Sequence, residues 1–158
     1  MTKDEMLAIF PGAKDDAELA PMLSRPPSKF GTSDLMIRPD KYGSKDRFAG
    51  INQISFTWLD GRMFTMNVGY AGPAYSHVDE FVTKFVEGKG LPPADQWEAY
   101  SGLDTQQKAL KCGGFEVEVF AGGEGGNLNH VLVKDLEAEK ELRERRAKAR
   151  AARATPTP

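Results

Sequence analysis

Few side chains in this chain of 158 residues are equipped for chemistry: two histidines, His77 and His130, and one cysteine, Cys112. His77 stands beside Asp79 and Glu80, residue types that together can serve as a general base with an orienting carboxylate. The surrounding pattern gives them another task. Ser76-His77-Val78-Asp79 reads as the start of a helix, where acidic residues complement the positive end of the dipole and a histidine is tolerated. Cys112 lies beside Leu110 in a strand-like run, where a free cysteine is ordinarily core, and spacing supplies no neighbour to activate it. His130 alternates with Leu128 and Leu132, as a core or boundary histidine does. So few histidines and cysteines form no cluster of metal-ligand spacing. The glycines from Gly122 to Gly126 invite comparison with a phosphate loop, but no Gly-Lys-Ser/Thr follows, no helix opens after them, and Glu124 occupies the place of the phosphate. No catalytic residue is assigned, and neither a metal nor a cofactor is expected.

What remains for function is surface. Tyr70, Tyr75, Trp97 and Tyr100 flank the best helix of the chain, and large amphipathic side chains of this kind anchor protein partners; packing over the end of a sheet is their alternative use. The net charge of −2 conceals an asymmetry, because Lys140 to Arg153 holds seven of the 21 basic residues and two of the 23 acidic ones. This tail carries +5 and the remainder −7, so attraction to nucleic acid belongs to the tail while the body repels it. The body also lacks the interleaved basic and aromatic residues of a base-stacking surface, which makes nucleic acid the less favoured partner.

The elements that must position these groups begin with Ile51 to Tyr70. Ile54, Phe56 and Trp58 alternate with polar residues, as do Phe64, Met66 and Val68, the period of two expected of half-buried strands. A two-residue Asp60-Gly61 turn pairs Trp58 with Met63 and Thr57 with Phe64, placing the apolar sets on opposite faces. A three-residue loop, Leu59-Asp60-Gly61, pairs Phe56 with Phe64 and Ile54 with Met66, and is the expected register.

Thr2-x-x-Glu5 has the form of a capping box for a short helix stopped by Pro11-Gly12, and a further helical turn carries Leu19, Met22 and Leu23. Leu35-Met36-Ile37, closed by Pro39, predicts a short edge strand. Val78, Phe81, Val82, Phe85 and Val86 recur at helical spacing, with Gly88 placed to end the helix. Trp97 to Tyr100 reads as a short strand, Lys108 to Phe120 as a longer one bulged at Gly113-Gly114, and Leu128 to Val133 as the last, reached through a glycine-rich loop. From Asp135 the composition turns to charge, with Leu136 and Leu142 its last large apolar residues, so residues 135–158 are expected to form a solvated helix with a disordered end. Residues 1–134 then make one α+β domain: an antiparallel sheet of five or six strands with helices packed on one face.

The opening MTKDEMLAIFPG, followed by Asp60-Gly61-Arg62-Met63, resembles the helix start and the Asp-Gly-Arg-hydrophobic turn of the SmpA/OmlA small-lipoprotein family and the wider group sharing the β-lactamase-inhibitor-protein-like fold. The resemblance spans about half of the chain and implies a partner-binding module with a helix on an antiparallel sheet. Departures are the missing lipobox cysteine, signal peptide and glycine before Met1. The expected compartment is the cytoplasm, or the periplasm if a signal sequence lies upstream. No run of residues is apolar enough for a membrane span. The reading that follows is a non-catalytic protein-binding or structural module of unknown partner; its alternatives are a small enzyme with a pocket near His77 and a nucleic-acid-associated protein acting through its basic tail. Gly61 is expected to be left-handed as the bulge of the three-residue loop, so Gly61→Ala should lower the unfolding free energy by about 1 kcal/mol or more in urea titration.

Overall fold

The computed structural model describes residues 1–43, 45–100, 106–122 and 129–154. The glycine-rich loop from 123 onward, the start of the last strand at Leu128 and the expected disordered end at 155–158 lie outside the described residues. The strands are β1 (Thr32–Ile37), β2 (Ile51–Leu59), β3 (Arg62–Tyr70), β4 (Glu98–Ala99), β5 (Gln107–Cys112), β6 (Phe115–Phe120) and β7 (Asn129–Asp135). The α-helices are α1 (Lys3–Leu7), α2 (Ala20–Leu23), α3 (Val78–Val86) and α4 (Leu136–Ala154). All pairings are antiparallel, in the order β1-β2-β3-β7-β6-β5-β4.

Seven strands replace the expected five or six because Gly113-Gly114 is not a bulge. Cys112 pairs with Phe115, so these two glycines reverse the chain and split the segment read as one strand into β5 and β6. Gly113, at φ 59°, supplies the left-handed residue of that turn.

The central hairpin corrects the expected register. Leu59 pairs with Arg62 and Trp58 with Met63, leaving a two-residue Asp60-Gly61 turn with φ of 49° and 81°. Both turn residues are left-handed, as in the type I′ turn whose twist matches that of paired strands. The next pair is Thr57 with Thr65, so Phe64 is an extra residue in β3. This bulge restores the phase that the short turn would otherwise have lost: beyond it Phe56 opposes Met66, and Ile54 opposes Val68. The apolar sets of both strands reach one face.

The consequence runs across the sheet. Ile37, Ile54, Val68, Val131 and Val119 form one row of successive partners, and Leu35, Phe56, Met66, Val133, Val117 and Leu110 form the next. Over β1 to β3 this face is covered by Met6, Leu7 and Phe10 from α1 and its exit, and by Leu19. Over β6 and β7 it is covered by Val78, Phe81 and Val82 of α3, with Phe85 and Val86 half-buried. The expected capping box closes α1, with Thr2 N donating to Glu5 Oε2 at 2.7 Å and Glu5 N to Thr2 Oγ1 at 3.3 Å. At α3 the N-cap is His77, whose side chain makes no capping hydrogen bond.

Helix α4 is not wholly solvated. Asp135 caps it, its Oδ1 accepting from the amides of Glu137 and Ala138, each at 3.1 Å, and its Oδ2 accepting from Arg62 at 2.7 Å. These donors hold the Asp135 carboxyl below the usual range, the amide of Ala138 foremost. Two turns beyond Asp135, Leu142 is buried against Leu59 and the bulged Phe64, with Phe30 and Ala138 at the margin. Arg145 donates to the Phe30 carbonyl at 2.9 Å and pairs with Asp60 and Glu141. The composition of the tail hid this because a single leucine suffices once a bulge presents an aromatic ring to it.

Two substitutions measure these packings by shift of the urea midpoint. Phe81→Ala should cost about 3 to 5 kcal/mol, as for a buried phenylalanine in a well-filled core. Leu142→Ala should cost about 2 kcal/mol, the low end for leucine, since its cluster is small; an unchanged midpoint would place α4 off the body.

Candidate functional site

The four aromatic residues singled out by sequence do not share one surface. Tyr70 and Tyr75 both pack on Phe81, with ring centroids 5.7 Å and 5.2 Å away. Trp97 is buried edge-on against Phe85 and donates its indole N–H to the Pro92 carbonyl at 3.0 Å. These three belong to the cluster around α3. Tyr100 follows Ala99, which opposes the inward Lys108, and so stands across the sheet on the other face, 37% exposed with the Lys134 ammonium 5.8 Å from its ring. Burial raises the Tyr70 phenol above its ordinary range.

The chemistry-bearing residues are equally dispersed. His77 is exposed at the start of α3, and among the described residues nothing bonds it to Cys112 or His130. Cys112 is exposed rather than core, because it is the last residue before the Gly113-Gly114 turn, opposite the exposed Phe115. Among the described residues no group of histidine, cysteine and carboxylate side chains could hold a metal.

The face of the sheet away from α3 carries a polar network where the sequence suggests only polar surface. Lys134 pairs with Glu118 and lies 3.4 Å from Glu116. Burial raises the pKa of Glu118 against the lowering pull of Lys134, and the neighbouring Glu116, which also pairs with Lys111 at 3.9 Å, adds to the rise. Burial opposes the Lys134 charge, but its bonds to those carboxylates prevail and raise its pKa. Next to them is a depression of about 220 Å³ lined by Asn67, Gln107, Glu118, Phe120, His130 and Leu132. Asn67 Oδ1 and His130 Nδ1 are buried there with no hydrogen-bond partner among the described residues, and burial lowers the basicity of His130. Gly69 lies beneath, where a Cβ would stand 3.2 Å from Gln53 Cγ. The arrangement is a neutralised ion-pair cluster beside a weakly basic histidine, with no nucleophile in it.

A larger depression lies at the β1 edge of the sheet. A groove of about 390 Å³ runs between Met22, Arg25 and Pro26 on one side and β1 with β2 on the other, from Thr32 to Met36 and Ser55 to Thr57. Leu35 and Phe56 form its apolar floor, and Met36 is 42% exposed beside it. Among the described residues, strand β1 is paired on one side only. Alternate residues of a strand aim their backbone polar groups to opposite sides. Gly31 O accepts from Asp60 toward β2, whereas Thr32 O accepts from Ser28 on the outer side. By that alternation Asp34 and Met36 turn N–H and C=O outward, beyond the reach of Ser28, and among the described residues no backbone group meets them there. Arg25 and Asp34, both lining the groove, have no ion-pair partner among the described residues. The sequence signalled the edge through Pro39 and the shortness of the strand; the groove needs α2 in place and had no local signal.

Comparison with protein families, with curated proteins and with solved structures found no match.

The buried ion pair yields a pH-dependent test. Lys134→Met should cost about 2 kcal/mol or more at neutral pH, because it leaves Glu118 buried without its counter-charge. The folded pKa of Glu118 then rises further above 4.5, so the penalty applies above that pH and lifts as pH falls through the raised folded value. Thermal melts from pH 7 to pH 4 should show the variant closing on the wild type.

Proposed function

We propose that this protein is a non-catalytic binding module whose open sheet edge at β1 accepts an extended segment of a partner protein as an eighth strand. The observation that carries the reading is the free outer side of β1 lying directly over an apolar groove. Backbone pairing supplies affinity in such an addition, and the groove supplies specificity for alternate side chains. The favoured segment has alternating apolar residues: those on the α2 side reach Leu35, Met22 and Pro26, while those on the other pass Met36. Arg25 and Asp34 give the rim one charge of each sign, which favours one direction of the peptide over the other. The dispersal of His77, Cys112 and His130 favours binding over catalysis.

Proline at position 36 separates this use from any other. It removes an outward amide and is tolerated on the outer side of an edge strand, so Met36→Pro should leave the melting curve within a few degrees of wild type. Peptides selected for binding from a random display library should lose affinity at least tenfold on Met36→Pro, and should slow amide exchange at Asp34 and Met36. Peptides indifferent to Met36→Pro would refute the edge as the site. A concentration-dependent dimer abolished by the same substitution would make a second copy of the chain the occupant.

A further inference from the structure

Beyond the edge groove, α4 and the segment before β1 enclose a cleft of about 290 Å³ lined by Lys29, Phe30, Arg146, Ala149, Arg150 and Arg153. Four of these six residues are cationic, and none of the four has an ion-pair partner among the described residues. Their neighbours differ: Arg143 pairs with Glu139, and Arg145 with Asp60 and Glu141. Along α4 the basic residues of the cleft fall at i, i+4 and i+7, one face of the helix, over a rise of about 10 Å. The helix dipole accounts for Arg153 in the last turn and not for Arg146 or Lys29.

The cleft has a fixed wall. Arg145 clamps α4 to the Phe30 carbonyl and to Asp60, and Gly31, at φ 83°, lets the chain pass so close that a Cβ there would stand 2.9 Å from Arg145 Nη1 and closer still to Asp60. The Lys29 ammonium lies 4.9 Å from the Phe30 ring, which both lines the cleft and packs on the Leu59, Phe64 and Leu142 cluster. The helix that carries the three exposed arginines is thus held against the segment that carries Lys29 and Phe30.

We infer that this cleft binds the phosphate backbone of a nucleic acid. Guanidinium groups donate to phosphate oxygens in bidentate fashion, and a row of them matches a linear polyanion. A membrane surface fits less well, since Ala149 is the sole aliphatic residue among the lining side chains and a concave cleft does not lie flat on a bilayer. Phe30 is half-buried with Lys29 over its ring, so no free platform is offered to a base and the binding is indifferent to sequence. The −7 charge of residues outside 140–153 confines binding to this cleft and keeps it weak and steeply dependent on salt.

The test is fluorescence anisotropy of a short labelled single-stranded oligonucleotide over a series of salt concentrations, on the full chain. Arg146→Gln with Arg150→Gln should lower affinity about tenfold at low salt and make the log–log salt slope shallower by about 1.4, at roughly 0.7 for each phosphate that is no longer neutralised. Lys140→Gln with Lys148→Gln removes the same charge outside the cleft and should change affinity less than twofold. Arg153→Gln alone, with melting curves for all variants, covers the case that the double change disturbs α4. Equal losses in the two double variants would overturn the inference. So would retention only of anionic vesicles or of polyglutamate, or no saturable binding of the oligonucleotide at low salt.

Discussion

One extra residue, Phe64, sets the arrangement on which the rest of the molecule depends. An Asp-Gly turn of two residues suits the twist of a hairpin but places the apolar residues of β2 and β3 on opposite faces. Inserting Phe64 as a bulge after Met63 restores the phase, so that Phe56 meets Met66 and Ile54 meets Val68. The inserted ring goes to the other side, where with Leu59 it makes the apolar seat for Leu142. One irregularity therefore builds the main core on one face and docks α4 on the other.

Charge secures what that seat begins. Asp135 is a buried carboxylate compensated by the amides of Glu137 and Ala138 and by the Arg62 guanidinium, so its burial is offset where it joins β7 to α4. Arg145 fastens the next turns to the chain before β1. The polar face is organised by the same rule, with Lys134 between Glu116 and Glu118. Groups without such compensation among the described residues include Asn67 Oδ1 and His130 Nδ1 beside that network, the outward backbone of β1, and the cations around Lys29 and Arg150.

The sequence was legible where the chemistry is local. The capping box at Thr2 and Glu5, the apolar stripe from Val78 to Val86 and the Pro-flanked edge strand each depend on neighbours within a few residues, and each is found. Register was not legible, because the bulge at Phe64 draws its advantage from Leu142, far along the chain. Gly113-Gly114 misled for a related reason, since both a bulge and a reversal use glycine and only the pairing of Cys112 with Phe115 decides between them. Tyr70, Tyr75 and Trp97 gather around α3, whereas Tyr100, three residues from Trp97, lies across the sheet. The basic run of the tail was legible, but its meeting with Lys29 and Phe30 was not, and the groove is likewise assembled from α2, β1 and β2 without a motif of its own.

Nuclear Overhauser effects test most directly whether Phe64 is a bulge facing α4. The bulge predicts cross-strand effects between Thr57 and Thr65 and between Trp58 and Met63, together with effects from the Phe64 ring to the Leu142 methyl groups. Effects pairing Thr57 with Phe64, or a Phe64 ring close to Phe56 and showing none to Leu142, would contradict it.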